Sequence, residues 1–340
     1  MSTGNRKNID DFISKIKSQH QVQLDIDQLY QKIKQGDKAS LSKAITLVES
    51  TRSEDIALAH QLLEKCLPTS TTTKRIAITG IPGVGKSTFI NSFAQQLVTD
   101  GQKVAVLSVD PSSSISKGSI LGDKTRMDDI AHMENVYIRP TATGATLGGV
   151  HLNTREVILL CEAAGYDHIL VETVGVGQSE YLVQSMTDIM IVMLLPGSGD
   201  TLQGIKRGIM EAADIILINK ADQFPKAAVD QTVTDYKQAM HLLASKPNRW
   251  TVQVLGTSAF EEASIQSVIA VMKKYFDHVL LNGSYLDQRK LQWREWFNSS
   301  IGWATHEVLK SKGIDIDHTA INLNELPPAK ALNAIKKLLH

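Results

Sequence analysis

A chain of 340 residues, 42% hydrophobic and 21% charged, is long enough to bury one large core and to carry smaller attachments, with the composition of an ordinary soluble globular protein. Its 36 lysines and arginines equal its 36 aspartates and glutamates, which argues against a basic nucleic-acid-binding surface, so no nucleic-acid partner is expected. No apolar run approaches membrane-spanning length, Met1 to Asp10 is polar without a signal-peptide core, and Cys66 and Cys161 form no C-x-x-C pair, so the expected setting is a reducing cytoplasm with no membrane contact.

Residues 1–70 read as a helical N-terminal extension. From Ile9 to about Pro68 the pattern is helical: Leu41, Ala44, Ile45 and Val48 recur at three and four, and Gly36-Asp37 and Ser50-Thr51 interrupt it. Ser70 to Lys74 then leads into a first short strand, Ile76-Ala77-Ile78-Thr79. Gly80-Ile81-Pro82-Gly83-Val84-Gly85-Lys86-Ser87 follows directly, a complete G-x-x-x-x-G-K-[ST] phosphate loop. Thr88 to Leu97 continues as a helix, with Phe89, Phe93 and Leu97 on one face. In this strand–loop–helix setting the glycines let backbone N–H groups converge on phosphate oxygens, and the helix N-terminus adds its partial positive charge. Gly80, Gly83, Val84, Gly85, Lys86, Ser87 and Thr88 are therefore the expected phosphate-binding set, with Lys86 reaching the β and γ phosphates and the Ser87 hydroxyl offered to Mg²⁺.

Residues 71–280 alternate short apolar runs with helical patterns, the signature of an α/β P-loop NTPase with a mostly parallel central sheet. Further strands are expected at Val104 to Val109, Val136 to Ile138, Ile169 to Val171, Ile189 to Leu194, Ile215 to Ile218 and Val252 to Leu255. Helices are expected at Asn153 to Ala164, Leu202 to Ala213, Phe224 to Leu243 and Ile265 to Phe276. Two strands end in carboxylates, Asp110 and Glu172, at the sheet edge where α/β proteins bind ligands. Both are candidates to hold Mg²⁺ directly or through its waters, and Gly175, just beyond Glu172, could present its N–H to a γ-phosphate. The glycine-punctuated loop ending in Asp123-Lys124-Thr125-Arg126 has the character of a lid or switch. Asp123 there could meet the metal; Arg126 could meet phosphate or be an ordinary solvated charge. A second such loop, Pro196 to Thr201 with Asp200, ends near Lys206.

Asn219-Lys220-Ala221-Asp222 follows the strand Ile215 to Ile218. An aspartate there can accept from both the ring N–H and the exocyclic amine of guanine. Adenine lacks that amine, so the wrong base leaves the carboxylate partly unpaired, at a cost of about 1–3 kcal/mol or more. Asn219 can brace the loop and the stem of Lys220 can lie along the purine. Ser258 and Ala259, in Gly256-Thr257-Ser258-Ala259, are placed to close over the base with backbone N–H groups.

Residues 281–340 change character, with Trp293, Phe297, Ile301, Ala304 and Val308 at helical spacing and a last helix after Pro327-Pro328. That apolar stripe must pack on the nucleotide domain or on a second subunit.

The chemistry implied is attack of water on the γ-phosphorus of GTP, catalysed by positioning and charge stabilisation. Gln178 is the candidate to position the water, and is equally a helix-start residue. A kinase phosphorylating a separate acceptor is the alternative. It has little reason for a guanine-reading motif, and the sequence shows no acceptor pocket. Metal delivery falls behind, because the ten histidines are scattered and the cysteines lie far apart.

These residues resemble the methylmalonyl-CoA mutase-associated GTPases, the MeaB/ArgK family with its mitochondrial MMAA counterpart. The resemblance rests on Gly80 to Ser87, Val109 to Ser113, Gly122 to Met127, Thr146 to Val150, Asn153 to Glu156, Leu160 to Gly165, Val171 to Glu180, Leu202 to Lys206 and Asn219 to Asp222. It implies a homodimeric, Mg²⁺-dependent GTPase that guards an adenosylcobalamin-dependent acyl-CoA mutase, gating cofactor loading and helping to release damaged cofactor. The mutase could be a methylmalonyl, isobutyryl or ethylmalonyl type, the first being the leading expectation. The resemblance assigns Lys86, Ser87, Asp110, Asp123 and Glu172 to the phosphate–magnesium site. It makes 110–126 a first switch, the Gly175 region a second, and 197–206 a third that Lys206 couples to nucleotide state. It also makes residues 281–340 a dimerisation arm. The older label of an amino-acid transport kinase attaches to the same family. Ser198, Thr201 and Gln223 depart from the family pattern, and the tail from Tyr285 matches it weakly.

Overall fold

A computed structural model describes residues 24–50, 52–67, 72–109, 127–141, 149–173, 183–197, 207–242 and 246–311. Three helices come first: α1 (Ile26–Lys34), α2 (Lys38–Val48) and α3 (Ser53–Cys66). Asp25 and Asp37 cap the first two, their carboxylates accepting from the N–H of Gln28 and Ser40. Gly36 separates them at φ +81°, a left-handed value that glycine reaches without penalty. The extension docks through polar side chains as well as apolar ones. Lys38 Nζ donates to the Met133 carbonyl, Ser42 Oγ meets the Tyr137 hydroxyl at 3.0 Å, and Arg139 pairs with Glu49 at 2.7 Å.

The rest of the first compact unit alternates as expected: β1 (Lys74–Gly80), α4 (Lys86–Thr99), β2 (Val104–Val109), α5 (Asp128–Ala131), β3 (Val136–Thr141), α6 (Gly149–Ala163), β4 (His168–Thr173), β5 (Ile189–Leu194), α7 (Arg207–Ala212), β6 (Ile215–Ile218), a 3₁₀ turn (Ala221–Gln223), α8 (Lys226–His241), β7 (Gln253–Gly256) and α9 (Glu262–Leu281). The seven strands form one sheet in the order β3-β2-β4-β1-β5-β6-β7, and each adjacent pair is parallel. Strands β2, β4, β5 and β6 are buried along their whole length, which is why they read as apolar runs without alternation. The chain divides at Gln288 and Arg289 into two compact units. The second, described to Ser311, is helical, as part of α10 (Ser284–Ser311).

An aspartate stands immediately before each of β4, β5 and β6, and each takes a backbone N–H beside a neighbouring strand. Asp167 accepts from Lys103, Asp188 from Arg75 and Asp214 from Met190, all at 2.8 Å. A one-residue slip of register would leave the buried acceptors Asp188 and Asp214 unpaired. Arg75 enters the sheet because Glu162 on α6 takes its guanidinium with both oxygens, at 2.7 and 2.8 Å, in a pair almost wholly removed from solvent. Removing one partner of such a pair strands a buried charge. These contacts pin the N-terminal edge of the sheet. The opposite edge is left to the loops.

His168 opens β4 between Lys74 and Val104, is buried, and has no hydrogen-bond partner on either ring nitrogen among the described residues. Burial, then the nearby Lys74 charge, push its pKa from 6.5 down to about 4. A histidine pKa depressed by folding gives stability that is complete above the unfolded value and lost as pH falls toward the folded one. Urea unfolding should therefore show about 2–3 kcal/mol less stability at pH 4.5 than at pH 7.5 from this residue. The difference between the native chain and a His168→Leu variant should carry that slope; parallel pH profiles would contradict it.

Candidate functional site

Strand β1 ends in a turn that only glycine fits. Gly80 sits at φ +155°, and a methyl group there would collide with the Met193 carbonyl on β5. Gly83 and Gly85 follow at φ +77° and +97°, and α4 starts at Lys86. The Lys86 side chain folds back over the loop, donating to the carbonyls of Gly80 (2.9 Å) and Ile81 (3.3 Å). Burial pulls the Lys86 pKa below its usual value, and the Glu172 charge opposes that shift. At Ser87 the hydroxyl donates to Glu172 Oε1 at 3.1 Å. Glu172, on β4 beside Ile78 of β1 and Ser108 of β2, is buried. A hydroxyl and a carboxylate, both hard oxygen donors, thus stand together at the start of α4, a donor set suited to Mg²⁺. Just beyond, Thr173 Oγ1 donates to Thr79 Oγ1 at 2.8 Å and joins the ends of β4 and β1.

At the other end, the Asn219 N–H continues the β6 pairing onto the Leu194 carbonyl, while its side-chain amide donates to the Val84 carbonyl at 2.8 Å. The Asn219 to Asp222 turn is therefore bolted to the Gly80 to Ser87 loop. A methyl on Gly85 would lie 2.8 Å from that same amide, so Gly85 is required by the tie as well as by its own φ. Lys220 holds a left-handed φ of 59°, uncommon for a residue with a side chain, and starts the 3₁₀ turn containing Asp222. Ala221 N–H on the Thr257 carbonyl (3.0 Å) fastens this turn to the chain leaving β7.

One cleft of about 640 Å³ runs past both ends, lined by Gly83, Gly85, Lys86, Ser87, Thr88, Glu172, Asn219, Lys220, Asp222 and Ala259 among the expected residues. Gly80 and Val84 stand behind it, the first as the close-packed turn, the second through its carbonyl. Ser258 does not line the cleft. It is fully buried, and its N–H is committed to Ser264 Oγ at 2.9 Å, so it acts as a brace for the loop. Asp110, Asp123, Arg126, Gly175, Gln178, Asp200 and Lys206 lie outside the described residues. The cleft adds Pro82, Ser108, Gln223 and Phe260, which sequence reasoning did not assign. Ser108 was legible as the β2 residue in register with Glu172 only once the strand order was known. Among the described residues no cluster of three or more histidine, cysteine or acidic side chains could hold a metal, and no helix is long and apolar enough to cross a membrane.

Residues 41–312 match the family model described as methylmalonyl Co-A mutase-associated GTPase MeaB. The chain is 45% identical over 265 residues to the GTPase ArgK of Escherichia coli (strain K12), covering 78% of this chain and 80% of that one. It is 42% identical over 328 residues to the mitochondrial methylmalonic aciduria type A homolog of Mus musculus, covering 92% and 79%. A crystal structure described as a LAO/AO transport system kinase superposes with a TM-score of 0.71 at 34% identity, covering 92% of this chain and 97% of that one.

Cutting the tie between the loops should be visible without any assay of turnover. Asn219→Ala leaves the Val84 carbonyl without its donor, so chemical denaturation should report a loss of about 1–3 kcal/mol. Isothermal titration should report weaker GDP binding in the same variant. Unchanged stability and affinity together would remove the bolt from this description.

Proposed function

Because the chain belongs to the methylmalonyl-CoA mutase-associated GTPases and is a GTP hydrolase of α/β P-loop fold, we propose that its hydrolysis reports to an adenosylcobalamin-dependent acyl-CoA mutase, gating cofactor loading and release of damaged cofactor. The observation that carries the nucleotide part is one cleft with Lys86, Ser87 and Glu172 at one end and Asp222 at the other, joined by the Asn219–Val84 hydrogen bond. In this reading the phosphates lie along 80–88, with the Lys86 ammonium on the β and γ groups. The carboxylate of Asp222 takes the ring N–H and amine of guanine. Ser87 and Glu172 hold Mg²⁺, joined by Asp110 and Asp123 from the first switch. When bound, the metal neutralises charge on the phosphate oxygens.

The protein's own contribution is placement. Glu172 and the Ser87 hydroxyl already share a hydrogen bond, so little reorganisation is needed where charge develops. Gln178 positions the attacking water, and Gly175 meets the γ-phosphate. Arg126, Asp200 and Lys206 belong to loops that transmit nucleotide state to the mutase. Residues 1–70, 71–280 and 281–340 act as helical extension, GTPase domain and dimerisation arm of a homodimer. The exposed Trp293 and Phe297 give the arm apolar surface to contribute. The cytoplasm is the proposed compartment, with both cysteines free and buried.

Two measurements test this. GTP should be preferred to ATP in binding by the native chain, and Asp222→Ala should reduce that preference about tenfold or more, the scale of an unpaired charged acceptor. Unchanged selectivity would refute the base-reading role. Phosphate released from GTP should be slow for the chain alone and rise clearly with a purified adenosylcobalamin-dependent acyl-CoA mutase from the same genome. If the mutase alters neither turnover nor nucleotide affinity, the partner is wrong. Transfer of the γ-phosphate to a separate acceptor in place of water would favour a kinase.

A further inference from the structure

Phe260 lines the base end of the cleft and yet is 74% exposed. Its neighbour Ala259 belongs to the buried core cluster; Phe260 does not, so packing does not explain an aromatic there. Nor is the segment loosely held. The Phe260 N–H donates to Ser258 Oγ (3.2 Å), the Glu261 N–H reaches the Ser258 carbonyl (3.4 Å), and Ser264 in the first turn of α9 takes the Ser258 N–H. The backbone that carries a large flat apolar ring is therefore held at the mouth of a cleft whose wall also carries Lys220 and Asp222.

A purine whose edge meets Asp222 has two π faces to cover, and water covers them poorly. We propose that Phe260 is a base-stacking residue, its ring lying on a face of the guanine that Asp222 reads. This rests on the guanine-binding reading of the cleft and adds a division of labour to it. Stacking is indifferent to which purine is present, because every base has a π face. Asp222 selects the base, and Phe260 lengthens its stay.

The division is tested by titrating GDP and IDP, which lacks the exocyclic amine, into the native chain and into Phe260→Ala, Phe260→Trp and Asp222→Ala. Phe260→Ala should weaken both nucleotides by the same factor, about tenfold, the scale of one base–aromatic stack. Phe260→Trp should stay within about twofold of the native affinity. Asp222→Ala should instead change the GDP-to-IDP ratio. The melting temperature of nucleotide-free Phe260→Ala should match the native chain, since the ring is mostly exposed. Native affinity in Phe260→Ala overturns the inference and leaves the cleft reading standing, provided the native chain binds GDP and Asp222→Ala alters the ratio. A native chain that binds no GDP overturns both. A fall in melting temperature that accompanies the loss of affinity makes Phe260 a fold residue and also overturns the inference.

Discussion

The hydrogen bond from the Asn219 side chain to the Val84 carbonyl joins two loops 135 residues apart, and the geometry of the cleft depends on it. It sets how closely the Asn219 to Asp222 turn stands against the Gly80 to Ser87 loop. Two glycines make the approach possible. Gly80 lets β1 turn against the β5 backbone at Met193, and Gly85 leaves room for the Asn219 amide. A side chain at either position would push the loops apart before any ligand arrived. The glycines of the G-x-x-x-x-G-K-[ST] pattern are thus a packing requirement in their own right.

The sheet delivers these loops from a single edge. Because all adjacent strands run parallel, the C-terminal ends of β1, β4, β6 and β7 lie on the same side, and Glu172, Lys86, Asn219 and Ala259 come together although they span most of the chain. The far edge is locked by Asp167, Asp188 and Asp214 on backbone N–H groups and by the buried Arg75–Glu162 pair. Contacts that set register lie at one edge and the cleft at the other. That arrangement lets loops at the binding edge differ in length and conformation without disturbing register.

Much of this was legible. The runs at Val104, Ile189 and Ile215 are strands with the expected bounds, and the helices after Asn153, Phe224 and Ile265 stand within a few residues of their expected ends. Apolar periodicity succeeds there because the strands are covered on both faces. It fails where polar residues enter the sheet with a partner distant in sequence. Lys74-Arg75 does not read as strand, yet β1 begins at Lys74 because Glu162 accepts the guanidinium. The phosphate loop and the Asn219 to Asp222 motif were recognisable from local spacing alone. What could not be read is which atoms those residues use on one another. Ser258, expected to offer its N–H to the base, has that N–H on Ser264 Oγ, and Phe260 carried no motif at all. Pairings of that kind are decided by tertiary geometry, which leaves no spacing in the sequence.

The most direct test of the central claim is a crystal structure of the chain with GDP and Mg²⁺. The account predicts the diphosphate along 80–88, Ser87 Oγ in contact with the metal or its water, and the guanine edge on the Asp222 carboxylate. A nucleotide bound with its base away from Asp222, or with its phosphates outside the Gly80 to Ser87 loop, would contradict it.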